Sequence, residues 1–326
     1  MNLSNSERQS IKDFFEKLRT KNQNKLDARK ASIYNELPAY KDLDDAIASI
    51  SIKKGLELIS NDNDTLDTLR SIIQDLSEQK RALLINNNYS PDYLEPIYSC
   101  PVCKDTGYTN NKKCNCLIRL EKAILNTGNS IINLVENVDF SLLSDSFYEG
   151  EDLEKFKTAR SVSENFIKTF DRDYQNIFFY GTVGTGKTLL SLCIAKEFIE
   201  KGYYVLYYTS QDFFSEFRKT HDYSIDEDVK NSFLERVYKS DLLIVDDLGT
   251  EFGISADIVS ASLFNCINKR AANKKPTIIS SNLTLKEVNS RYSERISSRI
   301  IDSYRCLNIT GKNIRITKKK NTNRIN

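Results

Sequence analysis

The chain has 326 residues, of which 40% are hydrophobic and 28% charged, and its formal net charge is only +2 at pH 7. This length predicts two domains, the composition fits a globular protein with a core, and the small net charge restricts nucleic-acid contacts to local patches. Because no apolar run reaches 18 residues and the N-terminus lacks the apolar core of a signal peptide, we expect a cytoplasmic protein without membrane contact.

Residues 6 to about 88 are predicted to be helical, because proline occurs there only at Pro38 and apolar residues recur at helical spacing. Lys, Arg, Glu and Asp fill the polar faces. Two or three amphipathic helices of this kind suit a partner-binding hairpin. A helical domain packed only on itself fits the same periodicity.

Four of the seven cysteines form the spacing C-x2-C-x10-C-x-C: Cys100, Cys103, Cys114 and Cys116. Four thiolates brought together by two tight turns form the tetrahedral sulfur site that structural Zn²⁺ prefers. We therefore predict a small zinc module at about residues 98–118, within a helical domain of residues 1–126. An iron–sulfur cluster, a redox dithiol and unligated thiols are the alternatives. The other cysteines lie in apolar settings that are typical of a core.

A linker at residues 127–152 leads to a second domain, residues 153–326, in which helices and strands alternate. Several predicted strands are continuous apolar runs, which are typical of a parallel sheet buried on both faces. The predicted strands are 176–180, 204–209, 241–246, 276–281 and 305–310. This region is therefore predicted to have an α/β fold.

The loop after the first of these strands has the P-loop pattern G-x-x-x-x-G-K-T in a strand–loop–helix context. It reads Gly181-Thr182-Val183-Gly184-Thr185-Gly186-Lys187-Thr188, with Leu189 next. Backbone N–H groups of such a loop converge on the phosphates of a nucleoside triphosphate. Lys187 would reach the β and γ phosphates, and the Thr188 hydroxyl would ligate Mg²⁺.

Polar side chains end two later strands. Asp246 and Asp247 follow the apolar run 242–245, where a P-loop enzyme carries the carboxylate that orients Mg²⁺. Asp246 fits that role, and Asp247 is then placed to polarise the attacking water. Asn282 ends the next strand and could hydrogen-bond the γ-phosphate or the water.

Basic residues mark the C-terminal part of the chain. Arg291, Arg295 and Arg299 recur every four residues, which predicts one helical face, and arginine suits a transferring phosphoryl group. We interpret Arg291 by itself as solvated. A basic tail follows, and a like-charge run of this kind is usually solvated. Its residues are Lys312, Arg315, Lys318, Lys319, Lys320 and Arg324.

Together with residues 293–299 and the ending 311–315, these motifs resemble the AAA+ ATPases of the DnaC/DnaI helicase-loader group, over about residues 138–316. The resemblance implies a three-layer αβα AAA+ domain that binds ATP and Mg²⁺. Since the chain stops soon after the fifth predicted strand, the helical lid of other AAA+ proteins is expected to be absent, with no obvious sensor 2.

The resemblance also implies a role for each site residue. Asp246 would be the Walker B metal residue, Asp247 the catalytic carboxylate and Asn282 sensor 1. Arg299 would be the arginine finger that reaches the nucleotide of a neighbouring subunit, with Arg295 as the second choice.

Three partners follow from the same resemblance: a replicative DnaB-type helicase gripped by the N-terminal region, single-stranded DNA, and other copies of the chain joined through their ATPase domains. Residues 140–148 would lie beside the adenine, and residues 211–235 would help to line a DNA channel. The phenylalanines Phe213, Phe214 and Phe217 suit base stacking, but their spacing equally suits core packing.

Two other functions fit the motifs. A transposition-helper ATPase of the IstB type has a closely similar ATPase core, but the cysteine cluster favours a loader. A nucleotide-switched DNA-binding module with little turnover is supported by Asp247, where many AAA+ proteins have Glu.

Overall fold

The computed structural model describes residues 3–60, 63–127 and 131–316. The chain divides into two compact units, Gln9–Leu117 and Met1–Arg8 with Ile118–Asn326. Among the described residues, no helix combines the length and apolar character needed to cross a membrane.

The unit Gln9–Leu117 is built mainly from three helices. They are α1 (Asn5–Glu36), α2 (Pro38–Ser60) and α3 (Asn63–Asn86). Pro38 is the first residue of α2, where its missing N–H costs no helical hydrogen bond. Ile33, Tyr40 and Leu84 form the buried centre of a small hydrophobic cluster. The predicted helical N-terminal region is therefore confirmed.

A short antiparallel hairpin completes this unit, formed by β1 (Tyr108–Thr109) and β2 (Lys112–Lys113). Asn110 and Asn111 both have positive φ, as a two-residue type I′ turn requires. The sequence did not predict these strands, because two residues are too few to show an alternating pattern.

The second unit contains a five-stranded sheet and its helices. Its first elements are α4 (Asn115–Thr127), α5 (Ile131–Val135), α6 (Gly150–Thr169), β3 (Asn176–Tyr180), α7 (Lys187–Glu200), β4 (Val205–Thr209), α8 (Ser210–Thr220) and α9 (Glu227–Lys239). There follow β5 (Leu242–Leu248), α10 (Ala256–Ala272), β6 (Thr277–Ser281), α11 (Leu285–Tyr292), α12 (Glu294–Ser303) and β7 (Tyr304–Asn308).

All strands of this sheet are parallel, in the order β4-β5-β6-β3-β7. Ile177, Phe179 and Ile244 belong to a cluster that also contains buried residues of α6 and α7. Phe178 and Leu243 are equally buried but lie outside that cluster, so both faces of the sheet are covered. On the second face α8 packs on β4 and β5, and α10 packs on α8, α9 and α12. The predicted three-layer αβα architecture is confirmed.

The order of the strands places the carboxyl ends of β3, β5 and β6 side by side. In open α/β sheets, ligands bind at this edge. The P-loop, the Asp246–Asp247 pair and Asn282 follow or end these three strands, so the fold brings them together.

Candidate functional site

The P-loop wraps the start of α7 and requires glycine at two positions. Gly186 caps α7 with φ +89°, a conformation that other residues rarely adopt. At Gly181, an added Cβ would lie 2.2 Å from the carbonyl oxygen of Ile309. The loop therefore depends on close approach of two backbone segments. The N-terminus of α7 lies at this loop, and helix N-termini bind anions such as phosphate.

Lys187 lies almost fully buried beneath this loop. Its Nζ donates hydrogen bonds to the carbonyl oxygens of Gly181 at 3.0 Å and Thr182 at 2.6 Å. Burial lowers the pKa of Lys187 to about 8, against the raising effect of Asp247 and Asp246. The ammonium is therefore short of negative charge, which a phosphate would supply.

Thr188 and Asp246 form a set of hard oxygen ligands. The Thr188 hydroxyl donates to Asp246 Oδ2 at 2.9 Å, and Tyr207 donates to the same oxygen at 2.8 Å. Ser280 donates to Asp246 Oδ1. A hydroxyl and a carboxylate held in contact fit the oxygen preference of Mg²⁺, so these residues would hold the ion.

Asp247 adopts φ +55°, which is unusual for a residue with a side chain. The pairing of β5 with β6 is irregular between Val245 and Leu248, so the strand bulges at the acidic pair. The backbone N–H of Asp247 donates to Ser280 Oγ at 2.9 Å, and Asn282 Nδ2 lies 3.5 Å from Asp247 Oδ1. The bulge thus turns both carboxylates toward the P-loop edge.

The surroundings of Asp247 raise the pKa of its carboxyl group. Burial, reinforced by Asp246, raises the pKa of Asp247, while Lys187, Arg315 and Asn282 lower it by smaller amounts. A carboxylate with a raised pKa is a better proton acceptor near neutrality than an ordinary one.

A cleft of about 220 Å³ lies over these groups. Its lining residues are Val183, Gly184, Thr185, Gly186, Lys187, Thr188, Leu189, Asp247, Asn282, Ile314 and Arg315. The segment after β7 reaches the cleft because the Ile314 N–H donates to the Gly184 carbonyl at 2.9 Å. Arg315 lines the cleft in this way, although the sequence placed it only in a basic tail that is usually solvated.

The predicted arginine face is wrong in one respect. Ser293, with φ +142°, separates α11 from α12, so Arg291 does not share a helical face with Arg295 and Arg299. Arg291 is also not simply solvated, because its Nη2 lies 3.1 Å from the buried carboxylate of Glu251. Arg295 and Arg299 are exposed on α12, and neither lines the described cleft.

The aromatic residues of α8 pack in the core. Phe213 and Phe214 are fully buried and Phe217 is 4% exposed, so they are not available for base stacking. The Phe213 ring meets those of Phe214 and Phe217 edge to face, at interplanar angles of 73° and 65°, as aromatic rings commonly do in a core. The core interpretation of these three phenylalanines is therefore confirmed.

The segment at residues 140–148 reaches the P-loop through Tyr148. Its hydroxyl donates to the Thr185 carbonyl at 2.8 Å, and its ring stacks on Phe156. A place for this segment beside the adenine stays a prediction.

The four cysteines converge as their spacing predicts. Their sulfur atoms all lie within 4.8 Å of one another. Cys100 and Cys114 sulfurs are 3.8 Å apart, close to the roughly 3.8 Å edge of a tetrahedron with Zn–S bonds of about 2.3 Å. The cluster therefore fits a four-coordinate metal.

Asp105 braces the cysteine cluster from inside. It is 1% exposed, and its carboxylate accepts hydrogen bonds from the N–H of Cys100 at 2.7 Å and from Asn22 of α1 at 2.8 Å. Gly107 donates its N–H toward the Cys103 sulfur at 3.4 Å, which favours the thiolate that a metal requires.

Comparison with known families agrees with this geometry. The family model described as "IstB-like ATP binding protein" matches residues 132–322, more than half of the chain. The chain belongs to this family. ATP is therefore the nucleotide for which the cleft of this IstB-like protein is built.

Two curated relatives act in DNA replication by name. The replicative helicase loader DnaC of Escherichia coli K12 is 27% identical over 142 residues, which cover 44% of this chain and 56% of DnaC. The chromosomal replication initiator DnaA of Helicobacter pylori G27 is 24% identical over 174 residues, 52% of this chain and 37% of DnaA. The chain thus spans little more than half the length of DnaC and less of DnaA.

Solved structures overlap with part of the chain. The alignment with a crystal structure of DnaI covers 55% of this chain and 94% of the DnaI chain, at 20% identity and a TM-score of 0.46. A crystal structure of the DnaC helicase loader aligns with 54% and 98% at 24% identity, with a TM-score of 0.44. The family assignment stands on the sequence match.

Within this IstB-like domain, the sequence did not reveal several site residues. Tyr207 and Ser280 contact Asp246 from neighbouring strands, 39 and 34 positions away in the chain. No motif marks them, because only strand pairing sets their distance. Arg315 belongs both to the ending 311–315 and to the basic tail that was expected to be solvated, and neither pattern predicts its place on the cleft wall.

Proposed function

We propose that the chain is an Mg²⁺-dependent ATPase that loads a replicative DNA helicase of the DnaB type onto single-stranded DNA. The observation that carries the ATPase is the convergence of Lys187, Thr188, Asp246, Asp247 and Asn282 on one cleft. The similarity to the helicase loader DnaC supports the loading step.

In this proposal the P-loop N–H groups and Lys187 hold the triphosphate. Thr188 and Asp246 would hold Mg²⁺, and the ion, when bound, would neutralise charge on the phosphates. Asp247 orients and deprotonates the attacking water, and Asn282, 3.5 Å from it, fixes the direction of that carboxylate. Arg315, on the cleft wall, adds positive charge beside the phosphates.

No arginine of α12 lines the described nucleotide cleft of the same chain. Arg299 is exposed on that helix and does not line the described cleft, which suits an arginine that acts on the nucleotide of a neighbouring copy. We therefore place hydrolysis at subunit interfaces, with Arg299 as the finger and Arg295 as the second choice. Heterologous interfaces of this kind pair different surfaces of successive subunits.

The N-terminal region would bind the helicase in this proposal. Among the described residues of its three helices, many exposed side chains are Lys, Arg, Asp or Glu. The four cysteines would hold structural Zn²⁺ that stabilises a segment with little core. The metal would have no open position and hence no part in hydrolysis.

The first test is hydrolysis by the purified chain. We expect Mg²⁺-dependent release of phosphate that disappears in Lys187→Ala. It should fall by about 10²-fold or more in Arg299→Ala, because a finger of this kind stabilises charge in the transition state. The exposed Arg305→Ala, on β7, serves as a matched control. Nucleotide binding with no turnover would instead support the switched DNA-binding module.

The second test is a light-scattering measurement of the full chain mixed with the replicative helicase of its source organism. We expect a complex whose mass depends on ATP, and helicase retained on single-stranded DNA only when the chain and ATP are both present. Absence of a complex in every nucleotide state would refute loading.

The IstB-like family match supports a second candidate function, a transposition-helper ATPase of the IstB type. Its partner would be a transposase rather than a helicase. ATP-dependent capture of a transposase from the source organism, without capture of helicase, would establish that function.

A further inference from the structure

Glu251 is a buried carboxylate that lies outside the nucleotide cleft. Only 4% of its side chain is exposed. A buried negative charge is costly unless it is paired and hydrogen-bonded. Its partners therefore show what the carboxylate holds in place.

The partners of Glu251 come from three different elements. Oε2 accepts from the Gly249 N–H at 3.0 Å and from the hydroxyl of Ser210, the first residue of α8. Oε1 accepts from Tyr292 Oη at 2.6 Å and pairs with Arg291 Nη2 at 3.1 Å, both near the end of α11. Burial would raise the pKa of Glu251, but the bonds from Ser210, Tyr292 and the backbone hold it below its ordinary value. The group is thus an anion at neutral pH.

One side of this cluster is tied to the catalytic edge. Glu251 follows the turn that begins at Asp247, and within this turn both the N–H and the hydroxyl of Thr250 donate to the Asp247 carbonyl, at 3.2 and 2.8 Å. These bonds do not involve the Glu251 carboxylate, so the turn is a fixed support from which that carboxylate reaches α11.

The other side is tied to the start of α12. Tyr292 is the last residue of α11, and Ser293 then breaks the helix with φ +142°. Arg295 and Arg299 lie on the helix that begins directly after this break. Because a positive φ of this size is strained for serine, the direction of α12 depends on what fixes its junction.

We propose that Glu251 is a positioning residue, which fixes the α11–α12 junction to the Asp247 turn and so sets where Arg299 meets the nucleotide of a neighbouring subunit. This inference rests on the proposed interface hydrolysis. Glu251 touches no reacting atom and acts through Tyr292 and Arg291.

A positioning residue of this kind affects hydrolysis in the neighbouring subunit rather than in its own. Lys187→Ala destroys its own nucleotide site but leaves a normal α12, so this variant can supply a finger to a neighbour. Glu251→Gln keeps its own P-loop and Asp247 but displaces its finger. An equal mixture of the two should therefore contain working interfaces that neither variant forms alone.

The experiment measures ATP hydrolysis by each variant and by equal mixtures with Lys187→Ala. We expect Glu251→Gln to lose kcat by about tenfold or more, since small displacements of a positioned group are costly, with little change in ATP affinity. The mixture should recover about a quarter of the wild-type rate, because one interface in four pairs an intact site with an intact finger.

Two control mixtures separate the possible failures. Arg299→Ala with Lys187→Ala should also recover activity, and if it does not, the interface assignment fails and this inference falls with it. Asp247→Asn with Lys187→Ala should not recover, since both defects lie in the subunit's own site. Recovery for Arg299→Ala but not for Glu251→Gln would overturn the positioning role alone.

A milder variant covers the case in which Glu251→Gln does not fold. Tyr292→Phe removes one hydroxyl and should show the same loss of kcat and recovery in trans, on a smaller scale. Tyr304→Phe, a buried tyrosine on β7, should keep its full rate. Full hydrolysis by both Glu251→Gln and Tyr292→Phe would equally refute the proposal.

Discussion

Ser280 holds the two carboxylates of the ATP site in place, and its removal should separate stability from catalysis. The side chain is fully buried on β6. Its hydroxyl donates to Asp246 Oδ1 and accepts from the Asp247 N–H at 2.9 Å. Ser280→Ala therefore removes one bond to a charged group and leaves one N–H without a partner.

The expected loss follows from these two contacts. A hydrogen bond to a charged group contributes about 1.5–3 kcal/mol, and an orphaned buried donor costs about 1–3 kcal/mol. Together these ranges give a loss of about 2.5–6 kcal/mol, which lowers Tm by roughly 5–24 °C in a domain of this size. The kcat for ATP should fall by about 10–100-fold, because both Asp246 and Asp247 lose their alignment. ATP affinity should change little, since the P-loop is untouched.

Ser281→Ala is the matched control. Ser281 is also fully buried and makes two hydrogen bonds, to the Leu248 carbonyl at 2.6 Å and from the Leu283 N–H at 3.0 Å, but touches neither carboxylate. Calorimetric melting and a phosphate-release assay on both variants give the answer. We expect both to lose stability and only Ser280→Ala to lose most of its kcat. Equal kcat in the two variants would show that Ser280 is only a packing residue.

Three further predictions address other parts of the chain. Free Lys187 has a pKa of about 8, and bound phosphate should keep it protonated, so above pH 8 ATP binding should take up a proton and weaken by up to about tenfold per pH unit. Calorimetry in buffers of different ionisation enthalpy counts that proton. Zero uptake at pH 9 would contradict the placement of Lys187 against the phosphates. Arg315→Ala should weaken ATP binding by about tenfold through a lost charge-assisted contact, whereas Arg305→Ala should not; equal affinities by fluorescent-nucleotide titration would remove Arg315 from the site. Asp105→Ala should speed release of zinc to a chromogenic chelator, since the carboxylate supports the backbone of Cys100, and a release rate equal to wild type would refute that support.

Much of the fold and the site could be predicted from local sequence. The glycines of residues 181–188 are needed by the loop itself, and the apolar run 242–245 before Asp246 predicts a buried parallel strand. The spacing of the four cysteines likewise places their sulfurs by short turns. Each of these signals lies within a few residues, so the chain's own chemistry determines it.

The rest required the tertiary structure, for a physical reason. Ser280 and Tyr207 meet Asp246 only because β6 and β4 pair beside β5 in one register, and Glu251 gains its partners only when α8 and α11 pack beside it. Such contacts depend on strand order and helix packing, which no local pattern encodes. The sequence by itself thus determined the ligand and the groups that hold it, while the tertiary structure decided which side chains align those groups.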